Sequence, residues 1–141
     1  MTDHRRLGVD LFNEVWRLLE SREDDDRMLH AAHASRYHWG EAEECRPENL
    51  ARGEWQVSRV YVVLGRPEPA TWHARRCLDY CEANAIGDWD LAYAYEALAR
   101  AHALAGDGKA AEWKVKARSA GDAIADREDR EHFDEDYLTL P

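Results

Sequence analysis

The chain has 141 residues and a formal charge of −10, with 29 acidic groups against 19 basic ones; such a field repels phosphate backbones and anionic lipid, so neither nucleic acid nor a membrane surface is an expected partner. Its 10% aromatic and 34% charged residues suit one folded, well-solvated domain that buries roughly two thirds of its unfolded surface without disulfide or metal staples. The three cysteines, Cys45, Cys77 and Cys81, form no framework spacing, and Asp10, Asn13 and Glu14 interrupt the apolar residues near the N-terminus. The expectation is therefore a cytoplasmic chain with neither signal peptide nor membrane span.

Taken in order, the chain predicts six helices and almost no strand. From about Asp3 to Ser21, Leu7, Leu11, Val15 and Leu18 recur at helical spacing, with Phe12 and Leu19 beside them. The acidic run Glu23 to Asp26 stops that helix and supplies caps for a second, about Asp25 to Trp39, which turns Met28, Leu29, Ala32, Ser35 and Trp39 inward and ends at Gly40. Pro47 opens a third helix through Leu50, Val57, Tyr61 and Leu64, closed by Gly65, and the turn 66–69 leads into a fourth that ends near Asn84. Asp88 caps a fifth that stops at Gly106, and Asp107 caps a sixth that runs from about Lys109 past Ile124. One domain results, with hairpins at 1–40, 47–85 and 88–125 and an acidic tail, 126–141, that extends the last helix before fraying.

A shift of 41 residues superposes Arg59 on Arg100, Gly65 on Gly106, Ala70 on Ala111 and Trp72 on Trp113, with Val57 on Leu98 and Ser58 on Ala99. A period of this length marks stacked helical hairpins, none of which can bury its apolar face alone. Ser58, Tyr61, Gly65, Ala70 and Cys77 in one unit, and Leu98, Ala99, Gly106 and Ala111 in the next, place small residues where two helices cross and a left-handed residue at the turn. In these residues the chain resembles the tetratricopeptide-repeat family over about Pro47 to Ile124. It departs from the family pattern at His102, where an aromatic is expected, at Arg118, where a small residue is expected, and in a period longer than the usual ~34. The resemblance implies an all-α, right-handed stack of about three antiparallel helix pairs that acts without chemistry, the first helix of each pair lining a groove for an extended peptide. The groove positions so implied are Arg52, Trp55, Arg59 and Val62 in one repeat and Tyr93, Glu96 and Arg100 in the next.

Other constellations compete with that reading. His30, His33 and His38 share one helix but fall on different faces, and His73, Cys77 and Cys81 form a line that suits the small-residue seam of a helix pair better than a zinc site. No nucleophile elbow, P-loop or dinucleotide fingerprint is present, so no catalytic residue, metal or cofactor is expected. Trp39, Trp55, Trp72, Trp89 and Trp113 are divided between packing and a recognition face. Arg59 and Arg100 at equivalent places imply a positive strip, for which an acidic or C-terminal peptide is the fitting protein ligand; alternatively Arg59 pairs with Glu96. A pocket around His33, Tyr37 and His38 for a small molecule or metal, and self-association through an uncapped end of the stack into a homo-oligomer, are the two other readings. Cys45, in a loop, is expected to react faster than Cys77 and Cys81.

Overall fold

In a computed structural model that describes residues 1–141, the chain forms seven α-helices and no strand: α1 (His4–Ser21), α2 (Asp25–Glu41), α3 (Pro47–Val63), α4 (Pro67–Ala83), α5 (Asp88–Ala105), α6 (Ala110–Asp122) and α7 (Arg127–Leu138). None is long and apolar enough to cross a membrane. Local chemistry sets most ends. The carboxylates of Asp3, Asp24 and Asp126 accept from backbone N–H groups in the first turns of α1, α2 and α7, and prolines open α3 and α4 where a missing N–H costs nothing. Both helices turn off at a left-handed glycine, α3 at Gly65, one residue beyond its Leu64 cap, and α5 at Gly106, itself the cap, at φ of 74° and 65°.

Consecutive helices pack as pairs, α1 with α2, α3 with α4 and α5 with α6, and each pair packs on the next. Whereas the second helices meet only through side chains, such as Arg36 of α2 with Tyr80 of α4 and Arg75 of α4 with Trp113 of α6, the first helices approach one another closely, α1 with α3 and α3 with α5. They therefore form the closely packed inner layer of the stack, with the second helices outside it. Small residues recur in a common register. Gly8, Ala51 and Ala92 stand four residues after the first residues of α1, α3 and α5, Val15, Ser58 and Ala99 eleven after, and Ala32, Ala74 and Ala117 seven after the first residues of α2, α4 and α6; all are buried. At such positions helix axes approach most closely. In the middle pair the Ser58 hydroxyl donates to the Ala70 carbonyl at 2.8 Å, so the buried serine is satisfied. Apolar clusters fill the seams: Val15, Leu18, Met28, Val57 and Val60 in the first, Ala74, Cys77, Leu78 and Leu98 in the second, and Ala92, Tyr93, Ala117, Ile124 and Phe133 in the third.

Several expectations are corrected. The segment 126–141 is no frayed extension of the sixth helix: α6 ends at Asp122 and a separate α7 folds back, driving Phe133 into the core at 0% exposure. α2 passes through Gly40 and ends at Glu41. Asp88 does not cap α5; it is the first residue of that helix, at φ 51°, and its carboxylate accepts from the Ala125 N–H at 2.9 Å across the stack. Ala111 is exposed where Ala70 is buried, because Pro67 would fall on Gly108 under the 41-residue shift while α6 starts only at Ala110. Cys77 and Cys81 are buried and unbridged. Cys45 is half-buried, and burial pushes its thiol up, which opposes the fast reaction expected of a free loop thiol.

Candidate functional site

A cavity of about 530 Å³ opens on the inner layer, lined by Phe12 and Trp16 of α1, Ala51, Arg52, Trp55 and Arg59 of α3, Trp89, Asp90 and Tyr93 of α5, and Asp129, His132 and Asp136 of α7; Cys77 of α4 lies behind them. The register explains its origin. Phe12 and Trp55 both stand eight residues after the first residue of their helices, and Trp16 and Arg59 both stand twelve after, so α1 and α3 present the same face to the hollow; on α5 these places are Glu96 and Arg100, which lie outside it, and α5 lines it through Trp89, Asp90 and Tyr93. The rings run in continuous contact: Phe12 meets Trp16 at 6.0 Å between centroids, Trp16 meets Trp55 at 5.4 Å, Trp55 meets Tyr93 edge-on at 5.6 Å, and Tyr93 meets Trp89 at 6.1 Å. Edge-to-face pairs of this kind are rigid as well as apolar. From below, buried Gln56 donates its Nε2–H to the Phe12 carbonyl at 3.0 Å and ties α3 to α1.

The charges of the wall are mostly spoken for. Arg52 donates twice to Asp90, at 3.0 Å each, and lies over the Trp89 ring at 4.6 Å. Arg59 lies over Trp55 at 5.4 Å and reaches Glu96 through Nη2 at 3.3 Å, while Arg100 donates to the same Oε1 at 2.6 Å. The free positive strip expected of Arg59 and Arg100 is thus absent, because Glu96, at 0% exposure, sits between them as a shared counter-ion; burying two guanidiniums without it would be prohibitive. The far wall is supplied by α7. Tyr93 donates its hydroxyl to Asp136 Oδ2 at 2.6 Å, and burial together with that bond pushes the phenol well above its ordinary range. Arg100 also donates to the Asp136 carbonyl and to Thr139 Oγ1, so the C-terminal segment occupies the end of the inner face. Two buried polar atoms lack partners, Trp55 Nε1 and Glu96 Oε2; the first belongs to a lining residue and the second to the counter-ion of another.

Of the seven groove positions expected, Arg52, Trp55, Arg59 and Tyr93 meet in this cavity. Val62 and Arg100 line a much smaller dimple beside it, and Glu96 is core rather than groove, for the reason above. The histidine region does not converge. His33 Nε2 lies 2.9 Å from the Tyr61 hydroxyl, His38 lies 2.9 Å from His4, and Tyr37 is exposed. No group of three His, Cys, Asp or Glu side chains is placed to hold a metal ion. His73 turns away from Cys77 and Cys81 toward buried Glu54, 2.8 Å from it, which Arg36 and Arg76 also approach. Phe12, Trp16 and the α7 residues were missed as lining residues. The register could have found the first two, since Phe12 is to α1 what Trp55 is to α3; nothing local marks Asp129 or Asp136. No protein-family model, curated protein or solved structure matches this chain.

Proposed function

We propose that this protein is a non-enzymatic binding module, built as a right-handed stack of the tetratricopeptide-repeat type, that holds a segment of a partner protein against its inner face. One observation carries the reading: a single aromatic cavity receives lining side chains from the first helices of all three pairs, the layer that implies a ligand groove in repeat stacks. Its volume of about 530 Å³ lies inside the range of roughly 300–1,000 Å³ typical of ligand sites. Five rings held by mutual contact offer large anchoring area at little cost in side-chain entropy, the character of a recognition surface.

Selection of a displayed random peptide library against the folded chain tests this. Binders should emerge whose capture is lost in both Trp16→Ala and Trp89→Ala, with helicity and melting temperature close to those of the parent. Binders indifferent to both substitutions, or none at all, would remove the cavity as a peptide site.

A further inference from the structure

The polarity of the segment follows from what α7 adds to the cavity, given the peptide-binding reading above. On α3 and α5, each lining arginine already has an acid: Arg52 is held by both oxygens of Asp90, and Arg59 by Glu96. Arg52 with Asp90 keeps no net charge, and Arg59 shares the Glu96 carboxylate with Arg100, so that trio keeps one positive charge. On α7 the balance runs the other way, with Glu128, Asp129, Glu131, Asp134, Glu135 and Asp136 against Arg127 and Arg130. Arg127 is taken by Glu131 and Arg118 of α6 by Asp134, and neither touches the two carboxylates that line the cavity. Asp129 is exposed and makes no ion pair; Asp136 takes a neutral hydrogen bond from Tyr93 and lies 3.6 Å from exposed His132.

We infer that the cavity takes a cationic side chain of the partner segment, a lysine-type ammonium whose methylene stem lies along Trp16, Trp55 and Trp89 and whose head faces Asp129 and Asp136. Trp55 and Trp89 already carry the Arg59 and Arg52 guanidiniums and offer the stem apolar surface, while Trp16 carries no cation; its ring and the two carboxylates favour the same group. Arg59 uses only Nη2 toward Glu96, and its remaining N–H groups suit the carbonyls of a bound backbone. The long-range field of a chain at −10 steers the same class of partner inward.

The test uses the intact chain and three probes of equal length and different charge: butylammonium, butanol and butyrate, each titrated while the indole N–H resonances of Trp16 and Trp89 are followed by NMR. Butylammonium should saturate both resonances at a concentration roughly fivefold or more below that needed for butanol, with butyrate weakest. Asp129→Asn should weaken butylammonium roughly two- to fivefold and leave butanol unchanged. Butyrate binding as tightly as butylammonium, or an Asp129→Asn protein with unchanged ammonium affinity, overturns the inference. Peptides selected from the library should be enriched in lysine beside apolar residues; enrichment in aspartate and glutamate overturns it equally. If butylammonium behaves as expected and no cavity-dependent peptide emerges, the partner-segment reading falls while the preference for a cation stands.

Discussion

In the α3–α4 pair the second helix runs 17 residues and its first-turn Ala70 is sealed under Ser58, whereas in the α5–α6 pair the second helix runs 13 and the corresponding Ala111 is exposed. The two pairs begin alike. Their first helices share the buried positions Ala51 and Ala92, Ser58 and Ala99, and each ends at a left-handed glycine. They diverge because α3–α4 lies between two neighbours while α5–α6 has one. The interior pair closes its seam with its own side chains, and the terminal pair with a separate helix. There Gly121 stands eleven residues into α6 as Leu78 stands eleven into α4, and the volume that a leucine fills in one pair is filled in the other by Phe133 from α7. A Cβ on Gly121 would overlap that ring. An end of a repeat stack needs such a cap, and here the cap also makes one wall of the cavity.

If the cap is integral, Phe133→Ala gives the largest loss. A fully buried phenylalanine truncated to alanine costs about 3–5 kcal/mol, measured by urea denaturation; a loss below about 1 kcal/mol would mean that α7 merely rests on the stack and the contrast between the two pairs fails. Gly121→Leu, which copies the interior pair into the terminal one, sharpens the same point. Overpacking against Phe133 should cost about 1–3 kcal/mol in the parent, and the substitution should be far better tolerated with Phe133→Ala in place, a strong non-additivity. Simple additivity would show that the two residues do not share one space.

Gly65→Ala and Gly106→Ala test the likeness rather than the difference. Both sites are open to an added Cβ, so only backbone strain at positive φ remains, about 1 kcal/mol for each. Losses that differ by more than about that amount would break the equivalence of the turns. The smallest effect belongs to pH and to the seam where α2 meets the interior pair. Burial, with His73 alongside, pushes His33 below its ordinary value. The folded state therefore holds His33 neutral, and stability declines as pH falls from about 6.5, the unfolded value, through the depressed one. Burial alone would raise Glu54, but the hydrogen bond and charge of His73, with Arg36 and Arg76, hold it below the ordinary carboxylate value. Its contribution is present above about pH 4.3 and is lost on further acidification. Melting temperature against pH should show both declines, and His33→Gln should erase only the first, a change under about 1 kcal/mol because the imidazole is half-exposed. A first decline that survives His33→Gln assigns it elsewhere.

Helices, hairpins and the two glycine turns were legible in the residues themselves, because apolar period, capping carboxylates and helix-opening prolines act within a turn or two of where they stand. The same holds for buried Ser58 and for the Cys77–Cys81 seam, whose small side chains recur on one face. Of the seven groove positions that the resemblance to tetratricopeptide repeats implied, four meet in the cavity; of the equivalent pairs only Arg52 and Tyr93 do so together, because Glu96 and Arg100 turn to each other and to Arg59. What tertiary structure decided was charge and closure. The residues left open whether Arg59 faces a groove or pairs with Glu96; the packing of α3 on α5 decides for the pair, with Arg100 on the same carboxylate and Glu96 buried. Phe133 reads as one ring in a charged run; nothing local distinguishes it from a solvated tail residue, because its partner, the space left by Gly121, exists only after α6 has packed on α5. With that ring in place α7 is held along the inner face, and its carboxylates become the wall of a cavity whose aromatic side comes from α1, α3 and α5.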